Sequence, residues 1–551
     1  MATVRIEPGE GTLIEAIEAG VRSRLGDVAL QTDFRRGEEG AADASVLVKA
    51  RLERQVGAAL LADFQACPAV ESVRLAKQKL SLRFTDSFVA ALVESRARGH
   101  GGGGPGRGSH AGRRILVDFC DPNANKALHV GHLRNVALGG ALAASWRALG
   151  AQVTTQSVLC DIGRSVAEAL AGLRAAGAEA VLASPEPLSP RLGALYAAYV
   201  GEAAVPVAAG AAADAPIARE IARHGDAADI VLDRWRASDP EIVALWRATI
   251  ARVRDEQAAT LARLGIVLDR IVRESDAVIG ASVLAEALVA RGLAFRDGDG
   301  AVVLDTGRPD YARCPLTRSD GFATEHLRAL VLWDGLRDAL AGTDEVFHVM
   351  GQEWRTSTEI RLEVLERLRE TGFPARYRML THRMVRVGGS DMKSSAGNAI
   401  LLDDLCDRLD ARLRARHHFG DPDEAASMLR TGVLAPMLVV DPEETLDVTL
   451  DTLCDERENP GLRIARALAA TRAAEAEARP TPRTRVLAFQ GERLARMVET
   501  AGTKAEPALV ARHLVRLADE RLARDGEDAW DGDALLRVLL RDGLTSLGWQ
   551  A

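Results

Sequence analysis

Residues 114–134 read Arg114-Ile-Leu-Val-Asp-Phe-Cys-Asp-Pro-Asn-Ala-Asn-Lys-Ala-Leu-His-Val-Gly-His-Leu-Arg134, and the fold turns on this stretch. Its first six residues are an apolar run suited to a strand buried on both faces of a parallel sheet. A turn follows, and from residue 131 to 149 apolar residues recur at helical spacing. Strand, turn and helix in that order open a doubly wound nucleotide-binding fold. His129 and His132 flank Val130-Gly131 where strand gives way to helix. Both imidazoles and the first free N–H groups of the helix are therefore expected to face one anion. Gly131 removes a side chain where an adenine or phosphate must come close. Such a corner can stabilise the charge that builds on an α-phosphate under attack by a carboxylate.

Residues 151–159 read as a second strand, and strand-like runs return at 266–272, 301–304 and 345–350. Between them, residues 165–263 are alanine-rich and mostly helical, with a proline- and alanine-rich stretch at 184–216 that reads as an exposed insertion. Residues 1–96 form a small α+β unit, with helical spacing over 11–25 and 50–64 and strand-like alternation over 70–84. The glycine-rich stretch 97–112 is a linker. From about residue 401 the pattern is helical to the end. The expected architecture is an α/β, Rossmann-type parallel-sheet catalytic domain over 113–405, with its helical insertion at about 165–263. An N-terminal α+β domain over 1–96 and an all-α bundle over 406–551 flank it.

Composition sets the outer limits. At ~150 residues per domain, 551 residues suggest three or four domains. No run of ~18 uncharged apolar residues occurs, so no membrane span is expected. Residues 1–25 lack a signal-peptide core, which points to the cytoplasm. Six cysteines, none in a CxxC pair, support neither a zinc knuckle nor a disulfide framework, and read as reduced small hydrophobes. The net charge of −8 argues against indiscriminate nucleic-acid binding but leaves room for a local basic face. Of 70 basic residues only Lys49, Lys77, Lys79, Lys126, Lys393 and Lys504 are lysine. A lysine that survives so strong a bias toward arginine invites a chemical reason.

The stretch Pro122-Asn123, Lys126, His129-Val-Gly-His132 and Leu133-Arg134, with a strand just upstream, resembles the HIGH signature of class I aminoacyl-tRNA synthetases in its arginyl version. The resemblance covers most of the chain. Cys160-Asp161-Ile-Gly163 sits where the family carries a Gly-Asp-Trp-Gly turn, and residues 264–275 are similar to the strand entering its second Rossmann half. Residues 318–324 resemble the segment lining the amino-acid pocket, and Val349-Met-Gly351-Gln-Glu353 the glycine turn that receives the ATP ribose. The resemblance implies His129, His132, Lys126 and Lys393 as catalytic cations and donors around the phosphate. Gly131, Gly351, Glu353 and Met392 are implied at ATP, with Mg2+. Asp118, Asp121, Asn123, Asp161, Phe322 and His326 are implied at the amino acid.

Departures from the family pattern mark what is particular to this chain. The second signature loop reads Asp391-Met-Lys-Ser-Ser-Ala-Gly-Asn398 before Leu402-Asp-Asp-Leu405, with Asp391 for the first lysine and Ser395 for the arginine. Lys393 is placed to supply the displaced cation, and Lys126 matches the lysine that arginyl enzymes carry upstream of HIGH. In the pocket, Asp118 replaces a Glu, Asp121 a Ser, Phe322 a Tyr and His326 an Asp. A histidine cannot replace a carboxylate opposite a guanidinium, so arginine recognition requires Asp118 and Asp121 to reach the same space. Residues 1–96 resemble the family's tRNA-elbow domain, and Glu458-Asn-Pro460 the entry to its anticodon-binding bundle. Aromatics are 4% of the chain, so base-stacking platforms are few. The expected activity is ATP-dependent activation of an amino acid, arginine first among candidates, and its transfer to tRNA by a monomer. The rival is a tRNA-independent amino-acid or peptide ligase, or an enzyme for another amino acid.

Overall fold

The computed structural model describes residues 4–7, 12–34, 42–97, 108–204, 226–309, 312–339, 342–369, 372–388, 390–391, 400–416, 422–471, 481–524 and 532–549. In chain order the strands are β1 (Leu30–Phe34), β2 (Ala44–Val48), β3 (Val70–Ala76), β4 (Lys79–Phe84), β5 (Arg114–Asp118), β6 (Gln152–Leu159), β7 (Arg270–Arg273), β8 (Ala294–Arg296), β9 (Val302–Asp305), β10 (Arg313–Pro315), β11 (Glu345–Gly351), β12 (Tyr377–His382), β13 (Val385–Val387), β14 (Ser390–Asp391) and β15 (Leu446–Val448). The apolar run at 115–117 makes β5 the middle strand of a five-stranded sheet, order β12-β11-β5-β6-β7. Every pairing in that sheet is parallel. The α/β class with a Rossmann-type parallel sheet is therefore what the molecule has.

The helix Val130–Ala148 that follows β5 is apolar all round, from Val130 through Leu133, Val136 and Leu142 to Trp146. A helix of that kind needs cover on every side. It lies on β5, β6 and β11, and the helices Pro422–Val439, Pro482–Thr503 and Asp533–Ser546 close over it. Gly139 is forced by this packing, since a side chain there would collide with the Phe119 ring. Its one buried cation, Arg134, gives its guanidinium to the carbonyls of Arg383 (3.3 Å), Val440 (3.3 Å), Asp441 (2.5 Å) and Glu444 (2.6 Å).

Several elements differ from the pattern-based reading. Residues 188–204, expected as exposed insertion, are a helix with Leu188, Leu192 and Tyr199 buried; residues 205–216 lie outside the described residues. Alanine-rich segments look loop-like because their few large residues carry all the periodicity. The run at 301–304 is a strand, but of a separate antiparallel sheet, β10-β9-β8. The strand expected over 266–272 is confined to β7, and the residues before it serve packing, Ile266 filling the space above Gly140. The helical C-terminal region contains β15, which pairs in parallel with β13. Of the glycine-rich stretch, residues 98–107 lie outside the described residues. Residues 108–112 form a turn in which His110 N–H donates to Leu149 at 3.1 Å.

The N-terminal unit is a four-stranded antiparallel sheet, order β1-β2-β4-β3, with helices Leu13–Leu25, Arg54–Gln65 and Asp86–Ala97. It docks on the C-terminal helix Pro482–Thr503 through stacked rings, Phe34 on Phe489 at 5.8 Å and Phe84 on Phe489 at 5.6 Å. Beside them Arg485 is buried against the wholly buried Asp43, with Nε–Oδ1 at 2.8 Å, and also reaches the exposed Asp86 at 2.7 Å. One apolar cluster runs from Ile17 and Phe64 through Val136 to Leu536 and Trp549. No disulfide joins any of the six cysteines, and no described helix is long and apolar enough to cross a membrane.

Removing one partner of a buried ion pair leaves the other charge uncompensated. Arg485→Ala is expected to lower the unfolding free energy in denaturant titration by about 3–5 kcal/mol. Asp86→Ala, at an exposed partner, should cost less than about 1 kcal/mol.

Candidate active site

The site grows from the corner between β5 and the helix Val130–Ala148. Cys120 (φ 83°) and Asp121 (φ 39°) both adopt the left-handed region without being glycine, at a cost of about 1–3 kcal/mol each. The surroundings hold them there. Cys120 N–H donates to Asn135 Oδ1 at 2.7 Å, and Asn135 Nδ2 donates to the Val349 carbonyl at 2.8 Å, tying the corner to β11. Asp121 N–H donates to Ser157 Oγ at 3.1 Å. Asn123 bridges to Cys160, and the buried Gln257 of the helix Pro240–Arg263 donates to the carbonyls of Asn123 (3.0 Å) and Lys126 (2.9 Å). Gln257 thus sets the loop that carries Lys126, a role no local motif announces.

His129 is the N-cap of the helix Val130–Ala148, a place usually held by Ser, Thr, Asp or Asn. Its Nδ1 accepts from Gly131 N–H at 3.1 Å, and His132 Nδ1 accepts in return from His129 N–H at 3.1 Å. The spacing of the two histidines is that of a capping box. Val130 N–H donates to Ile400 and His132 N–H to the His129 carbonyl. The first N–H groups of the helix are therefore spent inside the protein, which corrects the expectation that they face an anion. What the corner has to give is carried by the side chains. With Nδ1 accepting, each neutral ring bears its proton on Nε2. Burial and the neighbouring Lys126 push His129 down to about 4, and burial with the charges of His129 and Lys126 holds His132 well below its usual value. Burial also lowers Lys126, whose ammonium lies close enough to act on both rings.

Asp118 and Asp121 meet where β5 ends. Asp118 is 0% exposed; its Oδ2 accepts from Gln156 at 3.0 Å, and its Oδ1 has no hydrogen-bond partner. Burial, then the charge of Asp121, raises it to about 7. Asp121 Oδ1 accepts from Val158 N–H at 2.7 Å, and Oδ2 pairs with His348 Nε2 at 2.9 Å. His348 faces Asp118 across the β5–β11 register, and its other nitrogen meets the Tyr377 hydroxyl. Burial opposes protonation of His348, but the hydrogen bond to Asp121 and the charge of Asp118 raise it on balance.

The remaining expected residues are dispersed. Asp161 is buried and accepts from Ser275 N–H (2.8 Å) and Ser275 Oγ (2.7 Å), joining the turn after β6 to the helix Glu274–Ala290. Phe322 belongs to the apolar cluster of Ala124, Leu159 and Ile162, with the Arg236 guanidinium 5.5 Å above its ring. His326 is buried at the start of the helix Glu325–Ala339, and burial with Arg361 lowers it. Gly351 ends β11, and the exposed Glu353 folds its carboxylate into the space a side chain at 351 would need. Glu353 also lines a cavity of about 360 Å3 with Gln352, Arg383, Met384, Arg386 and Thr445. Met392, Lys393 and Ser395 lie outside the described residues. The ends of their loop are placed, upstream by the β13–β14 pairing and downstream by Leu402 N–H on the Leu128 carbonyl at 3.0 Å.

A histidine depressed in the folded state takes up its proton more readily when unfolded, so its stabilising contribution is complete above about 6.5 and is lost as pH falls toward 4. Nitrogen-15 NMR of the histidine rings at pH 7 is expected to show His129 and His132 as neutral Nε2–H tautomers. Denaturation midpoints should fall between pH 6.5 and 4. Titration of both rings near 6.5, or Nδ1–H tautomers, would contradict the cap.

Known proteins resemble the chain in sequence and in fold. Residues 104–425 match the family model described as tRNA synthetases class I (R), catalytic domain. The chain is 28% identical over 346 residues to an arginine–tRNA ligase of Amoebophilus asiaticus, covering 62% of this chain and 57% of that protein. It is 25% identical over 441 residues to one of Flavobacterium psychrophilum, covering 74% and 72%. The match to a Treponema pallidum arginine–tRNA ligase covers 48% of that protein, so the chain spans about half the length of some of these relatives. The fold is similar to Thermus thermophilus arginyl-tRNA synthetase, TM-score 0.68 at 21% identity over 98% of both chains. It is also similar to the Plasmodium falciparum enzyme, TM-score 0.65 at 12% identity over 97% of both. With a family model matched over more than half of its residues, the chain belongs to the class I tRNA synthetases of type R.

Proposed function

We propose that this chain is an arginine–tRNA ligase, which activates arginine with ATP·Mg2+ and transfers it to the terminal adenosine of tRNA. The observation that carries the reading is that one corner bears both halves of the chemistry. At its strand end two carboxylates, Asp118 and Asp121, converge, and at its helix end His129, His132 and Lys126 cluster. The first set suits a guanidinium, the second a phosphate in transition.

Enzymes of this family use ATP. In the first step the arginine carboxylate attacks the α-phosphorus, and the bond to the β-phosphate oxygen breaks. Pyrophosphate leaves, and arginyl-adenylate remains. Charge spreads over the phosphoryl oxygens in transition, so the protein's part is positioning and preorganised donors. The Nε2–H groups of His129 and His132 are fixed donors that need no reorganisation, and each donor of this kind contributes ~10²–10³ in rate. Lys126 adds a compact charge beside them, and Lys393, from the second loop, is the partner the sequence offers. Gly131, Gly351 and Glu353, with Met392, are the residues proposed around the adenosine. Mg2+ arrives with the triphosphate. The group of described residues close enough to hold a metal, Asp118, Asp121 and His348, lacks the oxygen shell Mg2+ takes. In the second step a ribose hydroxyl of the tRNA end attacks the acyl carbon, and AMP leaves.

Asn123 is proposed to face the amino-acid backbone, while Asp161, Phe322 and His326 shape the walls. The domain reading above assigns residues 1–96 to the tRNA elbow and the helical bundle from 406 to the anticodon, in a cytoplasmic monomer. Six cysteines with no disulfide among them suit a reducing compartment.

Charging of total tRNA with each of the twenty amino acids tests the reading. The expected result is arginine incorporation alone, dependent on ATP. Adenylate formation without charging of tRNA, or charging with a different amino acid, would overturn it in favour of a repurposed ligase.

A further inference from the structure

Asp118 is the least comfortable carboxylate in the site: wholly buried, with Oδ1 unmet by any hydrogen-bond donor. An unmet buried oxygen of this kind costs free energy that a ligand can recover. Beside it Asp121 is held by Val158 N–H on one oxygen and by His348 on the other. One ligating atom from each of Asp118, Asp121 and His348 lies within 4.8 Å of the other two. The backbone at Cys120 and Asp121 is bent into left-handed conformations to bring this about. The His348 imidazole, a planar N–H donor, thus occupies the place beside Asp121 that a planar cationic group would take. Tyr377 holds its far nitrogen, and the Trp333 ring lies 6.0 Å from it. Neither Phe322 nor His326 carries an acceptor carboxylate, and the buried Glu274 of the same region is paired with Arg328 at 3.2 Å, which leaves the Asp118–Asp121 pair to meet a cation.

Resting on the arginine reading, we infer that Asp118 and Asp121 form a two-carboxylate clamp for the substrate's guanidinium, and that His348, backed by Tyr377, is a stand-in that gives up Asp121 when the substrate enters. Asp121 and His348 are then specificity-determining residues. Asp121 supplies the second charge that separates a guanidinium from its neutral analogue. His348 keeps that charge from being unpaired while the pocket is empty, at the expense of affinity. Arg361, from the helix Arg355–Arg369, acts on both His348 and Tyr377, and Arg270 acts on Asp118. A guanidinium fits because its planar fork donates to two acceptors at once. Two carboxylates and one imidazole fall one ligand short of a closed zinc site.

Calorimetric binding of L-arginine, of citrulline as its neutral analogue and of agmatine, which lacks the carboxylate, tests the inference in wild type, Asp121→Asn and His348→Gln. Asparagine keeps the acceptor for Val158 N–H, removes the charge, and turns an amide N–H toward His348 in place of the carboxylate oxygen. Asp121→Asn should weaken arginine and agmatine by about tenfold or more and leave citrulline unchanged. In charging assays it should raise KM for arginine more than it lowers kcat. His348→Gln should bind arginine as tightly as wild type or more tightly, which a merely structural histidine would not allow. Equal loss for arginine and citrulline in Asp121→Asn, or no loss for either, would overturn the clamp. So would stoichiometric zinc binding that Asp121→Asn abolishes while arginine binding persists. Failure of the ligase reading is separately visible: no arginine would be charged to tRNA, yet agmatine would still bind in an Asp121-dependent way.

Discussion

The reciprocal cap between His129 and His132 is the constraint around which the rest is arranged. Each ring satisfies a backbone N–H of the other's turn, so the start of the helix Val130–Ala148 is closed without help from solvent or ligand. That closure fixes which nitrogen of each ring carries the proton, and with burial beside Lys126 it keeps both rings neutral. The two-histidine spacing is thus at once a helix-start device and a pair of oriented donors. Its cost is met in the turn before it, where two non-glycine residues sit in left-handed conformations and Asn135 and Gln257 hold the chain in place.

From this start the helix runs through the molecule's largest apolar cluster, and the other units register against it. Arg134, five residues past the cap, grips carbonyls on both sides of the β13–β15 pairing. The strand that leads into the second signature loop and the chain that returns at Ile400 are therefore both fastened to the same helix that carries the histidines. The C-terminal helices cover its outer face, and through Arg485 and Phe489 they carry the N-terminal sheet. Both terminal units are thus joined to the chemical corner by packed side chains.

Much of the fold class was legible in residues 114–149, because a strand buried on both faces and a helix following a tight turn both leave patterns in hydrophobicity. The β12 strand was not, since Tyr377-Arg-Met-Leu-Thr-His382 alternates without a branched apolar run and depends on β11 beside it. Within the site, the motif identified the corner but not its hydrogen bonds. Free N–H groups were expected where the His129 ring and the carbonyls of His129 and Ile400 had already taken them. Gln257, Asn135, His348 and Tyr377 reach the corner from distant segments, and nothing in their local sequence separates them from ordinary buried polar residues. The signals that pointed toward the pocket's rearrangement were Phe322 and His326, together with the acidic residues at 118 and 121, which only spatial proximity turns into a clamp.

The structure of the protein bound to a non-hydrolysable arginyl-adenylate analogue tests the account at its centre. The account predicts the phosphate-mimicking group within hydrogen-bonding distance of Nε2 of His129 and His132, with both Nδ1 caps intact. Rings swung away from the helix start, with that group seated on the N–H groups of Gly131 and His132 instead, would contradict it.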